Sequence, residues 1–143
     1  MKKRSTLTAV LAFVLMGLLV TVQAKEPLEY QLASLNAKSM VASDHITVAR
    51  FRSLLIQLDA FYVENQQDIG DMSVKAQQIM KKDGIDESLL NIMEGLNQVF
   101  VTKVENQRYA EYAAAYVTLR NSGQSHRQAI SGLQGLMRRL GVR

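Results

Sequence analysis

The chain has 143 residues, with 17 lysines and arginines against 13 aspartates and glutamates, and no cysteine. Without cysteine it has no disulfide, thiolate metal site, covalently attached c-type haem, cysteine-linked lipid anchor or cysteine nucleophile. The cationic excess is concentrated at the amino end, where Lys2, Lys3 and Arg4 reduce the remainder to 17 less 3, or 14 against 13. So balanced a composition does not supply the concentrated cationic surface that neutralises nucleic-acid phosphates, and no nucleic-acid partner is expected.

Those three cations precede an apolar run over residues 7–22, which ends in Val22-Gln23-Ala24. This is the three-part layout of an export signal. A helix that spans the hydrocarbon core needs about 20 apolar residues, whereas this run is shorter and is interrupted by Thr8 and Thr21. Cleavage after Ala24 is therefore expected, with residues 1–24 as a signal peptide and residues 25–143 as one helical domain. The mature chain is expected in the periplasm, or alternatively in the extracellular medium, with no stable membrane span once the signal is removed. Pro27 is the only proline, and a long proline-free remainder rich in Ala, Leu, Gln, Met and Glu favours helices throughout.

The first helix is expected over 28–42, on a thin stripe of Leu28, Leu32, Leu35 and Ala42, with Asp44 or Ser43 capping the next. Residues 45–64 form the most apolar segment of the domain. Val48, Phe51, Leu54, Leu55, Leu58, Phe61 and Tyr62 share one face, and Ala49, Ile56, Ala60 and Val63 a second, so this helix is expected at the bundle centre, covered on both sides. Arg52 and Asp59 lie between the faces, separated by a rise of about 10 Å, and each is expected to find a partner on another helix. Residues 65–70 read as a loop, and Asp71 as the cap of a short helix bearing Met72, Ala76, Ile79 and Met80. Lys81 and Lys82 suit the negative end of that helix, Gly84 ends it, and Ile85 packs back.

Asp86 is expected to cap a helix whose apolar face runs through Leu89, Ile92, Met93, Leu96, Val99, Phe100 and Val104. The β-branched run 99–104 is kept helical because no second strand-like run exists to pair with it, with a break near 105–107. A fifth helix over 106–120 aligns Tyr109, Tyr112 and Tyr116. The last opens with Ser125-His126-Arg127-Gln128, a capping box, and carries Ala129, Leu133, Leu136, Met137 and Leu140 until Gly141. The expected fold is all-α, a single compact bundle of five to six helices packed around 45–64.

No convergent catalytic set is visible, and no enzymatic activity is expected. His45 and His126 each open a helix, where the positive helix end favours a neutral imidazole, but neither has a partner at motif spacing. No histidine or acidic metal motif occurs, no cofactor is expected, and the methionines read as adaptable core filler. The surfaces singled out as candidate partner- or ligand-binding groups are Tyr109, Tyr112, Tyr116 and Arg120 along one helix, His126, and Arg139 beside Gly132 and Gly135. The functional expectation is an exported, non-enzymatic helical protein that binds another envelope or exported protein, as an adaptor, inhibitor or immunity-like factor. The alternative is a carrier that holds a hydrophobic small molecule between helices, with the tyrosines and Arg120 lining its pocket.

Overall fold

A computed structural model describes residues 25–100, 104 and 106–141, so the expected signal at 1–24 lies outside the described residues. Six helices follow one another: α1 Leu28–Ala37, α2 Ile46–Phe61, α3 Gln66–Lys82, α4 Leu89–Asn97, α5 Tyr109–Asn121 and α6 His126–Arg139. The fold is all-α, as expected, and the only sheet-like feature among the described residues is an isolated parallel bridge between Tyr62 and Gln107.

The helix limits follow from local capping chemistry and differ from expectation at several points. α1 stops at Ala37 rather than at 42 because Lys38 takes the left-handed conformation, φ 56°, and its N–H returns to the last carbonyls. α2 is capped by neither Ser43 nor Asp44. His45 does it, with Nδ1 accepting the Thr47 N–H at 3.2 Å. α3 starts a turn early, since Asn65 accepts the Asp68 N–H at 3.0 Å and draws residues 66–70 into the helix. Gly70 is thus a buried helical residue whose absent side chain lets Leu28 of α1 approach: a Cβ there would lie 3.2 Å from Leu28 Cδ1. Ser88, not Asp86, caps α4. That helix ends at Asn97, so Val99 and Phe100 are buried in non-helical chain, while 101–103 and 105 lie outside the described residues. Gly84, at φ 80°, ends α3 as expected, and the Ile85 N–H reaches back to the Met80 carbonyl at 2.9 Å.

α2 buries one face only. Val48, Phe51, Leu54, Leu55 and Leu58 are in the core, but Ile56 and Val63 are more than half exposed, so the second apolar face is uncovered. The centre is shared by α3, which rests against α1, α2, α4 and α5, and α4, which rests against α1, α2, α3 and α6; of the two, α3 is the longer. Its sequence is more polar than that of α2, yet Ile69, Gly70, Ser73, Ala76 and Met80 form a narrow buried stripe of mostly small groups, and small groups let several helices come close. Arg52 finds its partner on α1, donating to Glu29 at 3.0 Å, while Asp59 accepts from Gln66 at 3.4 Å.

α5 has no side-chain cap of its own. Its first N–H groups, on Tyr109 and Ala110, are taken instead by the Glu64 carboxylate at 2.7 and 3.3 Å, an anion placed at the positive end of the helix. Next to it, Tyr62, Phe100, Tyr109 and Tyr112 pack edge to face, with centroids 4.9–5.8 Å apart. α6 carries the expected capping box between Ser125 and Gln128. It crosses α4 at Gly95, where a Cβ would lie 2.7 Å from Ile130 Cδ1 and 2.8 Å from His126 Cε1.

Candidate functional site

The densest group of buried polar chemistry surrounds Glu87, one residue before the cap of α4. Its carboxylate is 8% exposed and receives Arg120 Nη1 of α5 at 2.8 Å on Oε2 and Asn91 Nδ2 of α4 at 2.8 Å on Oε1. Its carbonyl accepts Gln77 Nε2 of α3 at 2.8 Å. The Tyr116 hydroxyl stands 3.5 Å from Oε2 and 2.8 Å from His126 Nδ1, and the imidazole is itself 3.9 Å from Oε2. The Arg120 guanidinium lies over the Tyr116 ring, 6.0 Å from its centroid. Only Arg120 Nε in this group is buried without a hydrogen-bond partner.

Each position has a local cause. The capping box fixes the first turn of α6 and so the placement of His126. Arg120 sits in the last turn of α5, where a cation is matched to the helix dipole, and Glu87 sits ahead of α4, where an anion is. Three helices therefore present complementary helix ends to one small volume.

Chemically the cluster is closed. Both carboxylate oxygens of Glu87 accept from neighbouring side chains, Arg120 on one and Asn91 on the other, and the group is nearly buried. Burial raises the Tyr116 hydroxyl above its usual range, and the Glu87 charge adds to this against the opposing pull of Arg120. Tyr116 therefore stays a neutral phenol at physiological pH. Among the described residues there is no group of three histidines or carboxylates able to hold a metal ion.

Of the residues singled out in the sequence, Tyr116, Arg120 and His126 are brought together here. Tyr109 is fully buried elsewhere, its hydroxyl 2.6 Å from that of Ser73 and kept neutral chiefly by burial. Tyr112 bonds to Gln107 and to Met137 Sδ at 3.2 Å. Arg139 stands apart and exposed at the end of α6. Sequence reasoning missed Glu87. With Asp86 as the expected cap it was given no role, whereas with Ser88 as the cap it precedes α4 and is buried. Gly95 was missed too, because only a structure shows what opposes a helical glycine.

Comparison with protein families matches residues 23–138 to MoxZ. The chain belongs to the MoxZ family. MoxZ proteins are accessory proteins associated with methanol oxidation, a role compatible with a non-enzymatic chain. No curated protein and no solved structure matches this MoxZ chain. No helix among its described residues is long and apolar enough to cross a membrane. Among the described residues, apolar grooves flank α5 on either side. The first, about 390 Å³, lies against α3 and is lined by Met72, Ala76, Ile79, Ala110, Ala114 and Val117, with Lys75 at its edge. The second, about 330 Å³, lies against α6.

Proposed function

We propose that this MoxZ protein is an exported, non-enzymatic accessory factor of methanol oxidation that acts by binding another protein of that system. The observation that carries this reading is the family match over most of the chain. The buried polar cluster agrees with it: the Glu87–Arg120 pair and the Tyr116–His126 hydrogen bond join α4, α5 and α6, which is a use of such groups that a scaffold makes. Recognition then falls to the surface, where apolar side chains stand exposed beside cations. The amino-terminal layout of cations, apolar run and small residues supports export.

The test is crosslinking in intact methanol-grown cells, with identification of what is attached and sequencing of the amino terminus of the recovered chain. A partner belonging to the methanol-oxidising system and a start at Lys25 are expected. A His126→Ala strain should still grow on methanol. Turnover of methanol or its aldehyde product by the purified chain, together with no captured protein, overturns the reading.

A further inference from the structure

The outer face of α2 is uncovered, and its residues are arranged in a register that fits a second copy of the same face. Ile56 is 59% exposed, and Ala49, Ser53 and Ala60 are exposed with it. At 100° per residue these four fall within about 60° of one another around the helix, so three small side chains surround one large apolar one. Such a strip lets another helix come close.

Arg52 and Asp59, both exposed, line one border of the strip, within about 20° of each other around the axis. Arg52 gives its Nε to Glu29 of α1 at 3.0 Å, which leaves the two Nη groups for a further acceptor. Asp59 accepts the Gln66 amide at 3.4 Å and has no ion pair among the described residues. Along the helix, Arg52 lies about 6.0 Å before Ile56 and Asp59 about 4.5 Å after it. A twofold axis at Ile56 that sets two α2 helices antiparallel keeps this border on one side of the contact. It brings Arg52 of each copy within about 1.5 Å of the level of Asp59 of the other. A parallel pairing would instead set Arg52 against Arg52 and Asp59 against Asp59.

We propose that the chain pairs with a second copy of itself through the outer faces of two antiparallel α2 helices, with Ile56 at the twofold axis and two Arg52–Asp59 ion pairs holding the register. Charge selects this occupant, because one border carries both halves of the pair at the spacing that a twofold axis requires. A contact made by one helix from each copy is small, so the dimer is weak and dissociates at about 10–100 µM. The pairing goes beyond the function proposed above and does not depend on it.

Sedimentation equilibrium of the chain purified from cells, from about 5 µM to about 1 mM, tests the pairing and should show a monomer giving way to a dimer. Asp59→Arg sets two cations together at each contact and should weaken the dimer at least tenfold, and Arg52→Glu should do the same with two carboxylates. An equimolar mixture of the two variants should associate again, since every contact between positions 52 and 59 then joins opposite charges. The chain has no cysteine, so Ile56→Cys places a single thiol at the axis. Mild oxidation should link that variant into a dimer at least tenfold faster than Leu140→Cys, whose thiol stands at the exposed end of α6. Circular dichroism checks the fold of each variant, and positions 56 and 59 are exposed, so their results stand whether or not Arg52→Glu folds. A monomer throughout the range, a dimer indifferent to Asp59→Arg, no recovery on mixing the two folded variants, or linkage from 140 as fast as from 56 overturns the proposal. So does a photo-activated crosslinking residue at position 56 that attaches only to a different protein in methanol-grown cells, a result that leaves the function proposed above standing.

Discussion

Glu87 and Arg120 form the ion pair on which α4 and α5 converge, with α6 joined through His126 and Tyr116. Both side chains are nearly buried, so removing one charge strands the other in a poorly hydrated place. Glu87→Gln should cost about 3 kcal/mol in urea-unfolding stability, near the lower end of losses for broken buried pairs. The double variant Glu87→Met with Arg120→Met should recover at least half of that loss, because neither charge is then left uncompensated. A double variant no better than the single one would mean that the pair serves mainly through its geometry. Arg120 was visible in the sequence as a cation beside a tyrosine row, but its partner was not. Nothing in the spacing of Glu87 distinguishes it from the exposed carboxylates around it, since its burial depends on where Ser88 starts α4 and on an arginine 33 positions away.

Helices differ in why they carry glycine. Gly95 of α4 is held against Ile130 and His126 of α6 at contact distances that leave no room for a methyl group, whereas Gly135 of α6 has nothing within 4 Å of a built Cβ. Gly95→Ala should therefore destabilise the bundle by about 1–2 kcal/mol through overpacking. Gly135→Ala should stabilise it by about 0.5–1 kcal/mol through helix propensity alone. Thermal unfolding of the two variants, followed by circular dichroism, should move in opposite directions. Segment order was legible because proline-free runs with apolar residues at helical spacing leave few alternatives, and the Ser125–Gln128 box marked its own helix start. Less legible were limits set by a side chain choosing between neighbouring N–H groups, as at His45, Asn65 and Ser88. The centre of the bundle was misplaced for a related reason. Hydrophobicity pointed to residues 45–64, but centrality depends on how many neighbours can approach, and α3 and α4 each rest against four helices.

Across the whole molecule, the core carries an unusual load of phenols. Tyr62, Tyr109 and Tyr116 are 5%, 0% and 0% exposed, and burial pushes each hydroxyl well above the usual value of 10.0. In the unfolded chain the same groups ionise near that value. The folded state thus holds protons that the unfolded state gives up, so the stabilisation is complete below pH 10 and drains away above it. At about 1.4 kcal/mol per group one pH unit past 10, the three together should lower unfolding stability by about 4 kcal/mol at pH 11, measured by urea titration at pH 8, 10 and 11. A Tyr116→Phe chain should lose correspondingly less. Fold class could be read from the sequence because it depends on pattern averaged over many residues, whereas the polar cluster could not, because it depends on which distant helix ends meet.

The borrowed start of α5 has a consequence for how the chain acquires its shape. Its opening turn has no capping side chain of its own and relies on a carboxylate 45 positions earlier, in the link between α2 and α3. A peptide cut to residues 106–123 should remain mostly coil in water, despite its alanines. Glu64 precedes α5 in the chain, so the carboxylate that closes the first turn of α5 is already present when that helix emerges during synthesis.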